Sequence, residues 1–337
     1  MIRRQFRLLS RGILCGGVLF AATTLWSQAP PNEFRKPRPG VKEVQTPFAT
    51  VKPAAEFTIG GEADWIAMAG SSVWVASAAP NTLQRIDPVT NKIVARIEMP
   101  GEPCAGLVVA FESVWVPLCA SPPSLARVDT RNNHLSALLD IGPAAAEGTI
   151  TASTDSIWLV TDSKGTLARI NPNTNKVQQK IMLSPGSYNA RFSVGAIWVT
   201  NVEASVVAVV DALTGAVRKT ISVGPNPRFL ATGGGSIWTL NQGDGSITRI
   251  DAKMGKVVAT IQAGLPGKGG DICYCDGSVW TTIFTIPLGR IDADSNHVTK
   301  QWTGPGGDSL GCGPDSIWLT DYNRGLLQRI SFNQLEP

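Results

Sequence analysis

The chain has 337 residues, 43% hydrophobic and 17% charged, with 34 glycines and 23 prolines, a composition that excludes a disordered or collagen-like polymer. Its formal charge of +4 is local, because Arg3, Arg4, Arg7 and Arg11 stand in an opening stretch that contains no acid. Without them the remainder is neutral, and scattered Lys and Arg on a neutral body give no electrostatic footprint for nucleic acid or an anionic membrane.

Residues 1–29 read as an export signal: the basic region, an apolar run over 12–26, then Ser27-Gln28-Ala29 as a small-residue cleavage site. Arg3-Arg4-Gln5-Phe6 partly matches a twin-arginine signal, with Ile2 where Ser or Thr is usual. Cys15 follows Leu14 rather than a small residue, so no lipid anchor is expected. No later stretch reaches 18 consecutive apolar residues, and the expected product is a soluble periplasmic or secreted protein. Residues 30–53 are proline-rich and read as an extended tether.

From residue 54 one pattern recurs seven times: an apolar strand, a small or polar turn, Ser-Val/Ile-Trp, a polar loop, Arg-Ile-Asp, a second turn and an apolar strand. Its tryptophans are Trp74, Trp115, Trp158, Trp198, Trp238, Trp280 and Trp318, spaced 38 to 43 residues apart, the period of propeller blades. In the first unit the four β segments are expected at 66–69, 72–76, 82–87 and 93–98, and no segment has helical periodicity. Asp276-Gly277 and Gly234-Gly235 are hairpin turns between first and second strands. The last unit ends six residues after Ser331, too soon for a fourth strand. The segment Glu56-Phe57-Thr58-Ile59-Gly60 resembles the other fourth strands, so it is expected to complete the seventh blade and close the ring. The fold class is therefore all-β, a seven-bladed propeller of four-stranded antiparallel blades spanning 54–337.

The stretches Gly-Ser-x-Val-Trp-Val at 70–75, Arg-Ile-Asp-Pro-x-Thr-Asn-Lys at 85–92 and Gly-Pro-Asn-Pro-Arg at 224–228 resemble YVTN-type propellers over roughly 54–331. The same pattern is similar to streptogramin (virginiamycin B) lyases, a resemblance that implies a seven-bladed propeller and, for activity, a histidine base with glutamates and Mg²⁺. Those catalytic residues have no counterpart here. The positions three after each tryptophan are Ser77, Leu118, Thr161, Asn201, Asn241, Ile283 and Asp321, with no Glu. Both histidines, His134 and His297, fall in turns between third and fourth strands, on the face opposite the expected ligand mouth.

Residues repeated around a ring serve the ring, which covers the tryptophans and Arg85, Arg127, Arg169, Arg249, Arg290 and Arg329. Binding is expected where the repeat is broken, on the loops that enter the innermost strands. Alignment on the tryptophans sets Asp64, Ala105, Gly148, Tyr188, Arg228, Gly270 and Asp308 at one position near the channel mouth, with Trp65, Glu147, Asn189, Arg191 and Asp271 beside them. Asn201, Asn241 and Asp321 share a loop position and join the candidate ligand-binding set.

Five cysteines lie beyond the signal. If the first hairpin of the second unit turns at Phe111-Glu112, Cys104 and Cys119 face each other and pair; Cys312 is within reach of Cys273 or Cys275, and one thiol is left over. Cys273-Tyr274-Cys275 lacks the spacing of a zinc or redox motif, so no metal is expected there. The favoured function is an exported, monomeric, non-catalytic binding or scaffold propeller without cofactor, recognising a small polar molecule or a periplasmic protein or peptide segment. The alternative implied by the resemblance is a lyase or lactonase-type hydrolase acting on a cyclic ester, with Glu147 and Asp271 around a divalent cation.

Overall fold

Each unit offers apolar residues on both faces of a short strand and turn formers between strands, so it folds as an antiparallel meander that buries both faces against its neighbours. A computed structural model describes residues 40–267 and 269–335. The export signal over 1–29 and residues 30–39 of the expected tether lie outside the described residues. The first blade is Glu62–Ala69, Ser72–Ala78, Thr82–Asp87 and Lys92–Glu98, its first, second and last strands longer than the sequence suggested. Six further sheets repeat this order, making seven blades. The other innermost strands are Val108–Ala110, Thr151–Ala152, Ser187–Ser193, Pro227–Gly233, Asp271–Cys275 and Leu310–Cys312. No described helix is long and apolar enough to cross a membrane.

Closure of the ring follows the expected route. Ala55–Thr58 pairs antiparallel with Leu326–Ser331, setting Phe57 opposite Leu327 and completing the seventh blade from the N-terminal side. Phe57 stacks on Trp318 with ring centroids 5.7 Å apart, and Ile59 just beyond is fully buried. The sixth blade carries a fifth strand that the sequence reading did not contain: Gln45–Pro47 pairs parallel with His297–Thr303. Val41 N–H donates to Gln301 Oε1 at 2.7 Å, and Gln301 Nε2 donates to the Ala263 carbonyl. The C-terminal part of the proline-rich segment is thus laid on a blade edge, where its backbone finds partners.

All seven repeat tryptophans are at most 1% exposed. Six of them face an arginine on the neighbouring strand, as in Trp74 opposite Arg85 and Trp318 opposite Arg329. The guanidinium lies over the indole at 4.7 to 5.5 Å. Its Nε donates to the serine that opens the second strand, for example Arg127 to Ser113 at 2.8 Å. In five blades Nη1 continues into the next blade's outer turn: Arg85 reaches the Thr130 carbonyl and Asn133, and Arg329 reaches the Pro88 carbonyl and Asn91 across the closure. Blade four has Val209 opposite Trp198, so this stitch is interrupted there.

Candidate functional site

The mouth forms where the ladder between first and second strands is broken. In blades one, four and five the register shifts between Ala63 and Ile66, between Ser187 and Ala190, and between Pro227 and Phe229. The residues inside those bulges are Asp64 and Trp65, Tyr188 and Asn189, and Arg228, all from the candidate set. A bulge leaves residues unpaired and re-aims their side chains, a common device beside binding sites. Glu147 arrives by another distortion. It holds φ +66°, an uncommon conformation for a residue with a Cβ, and its N–H donates to the Cys104 carbonyl at 2.7 Å. Cys104 is bonded to Cys119 with Cα atoms 5.7 Å apart, so a disulfide anchors the carbonyl that holds Glu147.

The carboxyls gather in poorly hydrated surroundings. Asp64 and Asp308 share a side-chain hydrogen bond; burial first, then the Asp308 charge, hold Asp64 well above the usual carboxylate range, so Asp64 carries the shared proton. Asp308 is also raised by burial, while the Gly270 N–H, donating at 3.0 Å, favours its ionised form. Burial, and then Asp308, lift Glu147 to about 7 against the opposing pull of Arg228. Asp271 is pushed up to about 6 by burial, although Arg191 and hydrogen bonds from Ile272 N, Leu310 N and Ser309 Oγ favour its charge.

Two arginines accompany these acids, Arg228 acting on Glu147 and Asp308 and Arg191 on Asp271. Arg228 lies over the Tyr188 ring at 5.3 Å and the Phe229 ring at 5.7 Å, and its Nη2 donates to the Tyr188 hydroxyl at 3.0 Å. That hydroxyl donates to the Ala146 carbonyl at 2.6 Å, and burial pushes its pKa up to about 12. Arg191, with Asp271, Cys273 and Trp65, lines a channel cavity of about 190 Å³; burial lowers its pKa. Among the described groups buried without a hydrogen-bond partner are Trp65 Nε1, Asn189 Nδ2 and Arg228 Nε, and Thr282 Oγ1 on the residue paired with Asp271. Orphaned buried donors are costly, and they are the groups a ligand acceptor would satisfy.

Three candidates serve their loops instead. Asn201 accepts from Glu203 N and Ala204 N and donates to the Pro185 carbonyl. Asn241 donates to Ser246 and Thr248 Oγ atoms, and Asp321 accepts from Arg324 N. Both histidines are exposed and open the outermost strands His134–Leu139 and His297–Thr303 just past the turns where the sequence set them, each with Nδ1 2.7 Å from a local carbonyl. Two features were absent from the sequence reading. Tyr322, hydrogen-bonded to Glu62, extends the acidic rim. A cleft of about 190 Å³ opens between blades three and four, lined by Ala144, Leu159, Val160, Val202, Glu203 and Tyr188 among others. The run Pro143-Ala144-Ala145-Ala146 entering blade three was its one sequence signal.

Among the described residues, the ligand atoms of Cys273, Cys275 and Cys312 come within 4.8 Å of one another, whereas the mouth carboxylates form no such group of three.

No family model matches the chain, and no curated protein matches it. Among solved structures, it is similar to a streptogramin B lyase structure at 16% identity and a TM-score of 0.69, covering 82% of this chain and 96% of that one. It is also similar to the crystal structure of BamB from Moraxella catarrhalis at 10% identity and a TM-score of 0.59, covering 79% of this chain and 82% of that one. These likenesses establish the propeller fold.

Proposed function

We propose that the protein is an exported, non-catalytic binding propeller whose mouth recognises a small polar ligand or a peptide segment carrying a cationic group. The observation that carries this reading is the convergence of Asp64, Glu147, Asp271 and Asp308 with Arg228 and the orphaned donors of Trp65 and Asn189. Four crowded carboxyls gain from a positive group, because it relieves both their burial and their mutual repulsion. The unsatisfied N–H groups take an acceptor of the same ligand, as a peptide's carbonyls would provide. Export follows from the signal-like N-terminus, and a periplasmic protein or peptide is then the natural partner class. The other reading, a metal-dependent lyase acting on a cyclic ester, draws on the similarity to streptogramin B lyase, but among the described residues no three mouth carboxyls bring an oxygen within 4.8 Å of one another.

The test is a thermal-shift screen of the purified chain against spermidine, a set of basic tetrapeptides, Mg²⁺, Ca²⁺ and Mn²⁺. A ligand of the native state raises Tm by mass action, about 2.7 kcal/mol at a hundredfold excess over Kd. We expect stabilisation by an amine or peptide that is lost in the Glu147→Gln/Arg228→Ala double variant. A shift produced by a metal alone, and lost in Glu147→Gln, would replace this reading with the lyase one.

A further inference from the structure

Alternation along Asp271–Cys275 divides the strand's chemistry between two interfaces. Tyr274 points to blade five, where its ring stacks on Trp238 with centroids 6.5 Å apart. Cys273 and Cys275, two residues apart, both point to blade seven and join the apolar cluster that contains Cys312 and Trp280. On blade seven, Gly311 abuts Ile66 and Met68 of blade one, which turns Cys312 toward blade six. The three sulfurs therefore meet at one place by strand geometry: Cys275 is bonded to Cys312, and Cys273 Sγ lies 2.7 Å from Cys312 Sγ. The two sulfurs that compete for Cys312 differ in surroundings. Cys273 lines the channel cavity beside Arg191 and Asp271, whereas Cys275 immediately precedes the Asp276-Gly277 turn at the far end of the strand.

We propose that Cys273, Cys275 and Cys312 form a three-sulfur exchange site, in which Cys312 is the shared partner and the disulfide migrates between Cys275 and Cys273. The thiolate of Cys273 attacks Cys312 Sγ, a Cys273–Cys312 bond forms and the Cys275–Cys312 bond breaks. The leaving electron pair stays on Cys275 Sγ, which takes up the proton that Cys273 gave up. One disulfide and one thiol are present before and after, so the step needs no oxidant or reductant. Its consequence is positional over a short distance, because the free thiol shifts by less than 4.8 Å, from the residue that lines the channel cavity to the one that precedes the Asp276-Gly277 turn. A metal centre made of the same three sulfurs would require all three as thiolates, whereas two of them are bonded to each other.

Two measurements test this on the full chain, with the Cys15 peptide scored separately. In Cys275→Ser, alkylation of the unreduced, denatured protein with N-ethylmaleimide followed by peptide mapping should find Cys273 and Cys312 both unlabelled, because they have bonded to each other. Labelling of both would overturn the proposal. In the wild-type protein, prolonged native-state alkylation should distribute one label between Cys273 and Cys275, with the remaining one bonded to Cys312. Label confined to a single one of the two would refute exchange even if the serine variant fails to fold.

Discussion

Glu147 gives the mouth a measurable signature in the pH dependence of stability. Lifting its carboxyl from 4.5 to about 7 disfavours the ionised form in the folded chain, at about 1.4 kcal/mol per tenfold, by an upper bound of about 3.4 kcal/mol. The folded state then holds its proton over a range in which the unfolded chain has already released it. Stability is therefore fullest below about 4.5, falls as pH rises toward 7, and is flat for this group above that. Residual hydration of the partly exposed carboxyl reduces the figure to about 2 kcal/mol. At about 2 °C per kcal/mol for a domain of this size, wild-type Tm should fall by about 3 °C between pH 5 and pH 8 through this group. Glu147→Gln keeps the shape and removes the ionisation, so its calorimetric Tm should lose that part of the slope and exceed wild type at pH 8. Parallel curves for the two proteins would show that Glu147 is ordinarily hydrated and that the mouth is not the crowded acid cluster described above.

Phe57→Ala removes the stacked ring that docks the closing strand and should cost about 3 to 5 kcal/mol, read as a lower urea midpoint. Arg329→Ala loses both the Trp318 contact and the bonds to Pro88 and Asn91 across the closure; it should destabilise by about 1.5 to 3 kcal/mol, more than Arg290→Ala, whose Nε bond to Ser278 stays within its own blade. Cys104→Ser opens a disulfide that spans 15 residues and should cost about 3 kcal/mol in the chain-entropy account. Because the Cys104 carbonyl holds Glu147, the same variant should also flatten the Glu147-dependent part of the Tm–pH curve.

The elements most readable in the sequence were those imposed by repetition. A tryptophan every forty residues or so marks one strand per blade, and the truncated last unit demands a strand from elsewhere, which Ala55–Thr58 supplies. The hairpin at Phe111-Glu112 was legible as well: both residues hold φ +54°, and the pairs Val108 with Trp115 and Ala110 with Ser113 follow from a turn there. The bulges that aim Asp64, Tyr188 and Arg228 left no trace, because an inserted residue changes the pairing count and not the apolar alternation on either side. Asn201 and Asn241 look equally polar whether they face a ligand or bind their own loop, and only the folded loop shows that they hold Pro185 and Ser246. Gln45–Pro47 was unreadable for a related reason: a three-residue edge strand is set by the vacant edge of blade six rather than by its own residues.

The two ends of the ring divide the stabilising repeat from the proposed recognition site. At the outer turns the same arginine, indole and serine recur in six blades, and they join five of those blades to the next. At the mouth the aligned position holds five residue types in seven blades, Glu147 sits at φ +66° and the acids are held above their ordinary range. Each of those mouth features opposes folding, and small apolar residues would remove the charge burial without disturbing the outer stitching. Ala105 and Gly148, which hold the aligned position in blades two and three, show that the backbone accepts such residues there. A rigid ring thus tolerates a locally unfavourable acid cluster, and a cationic group of a ligand would offset what burial costs it. That coupling is why binding at the mouth should be detectable first as a gain in stability.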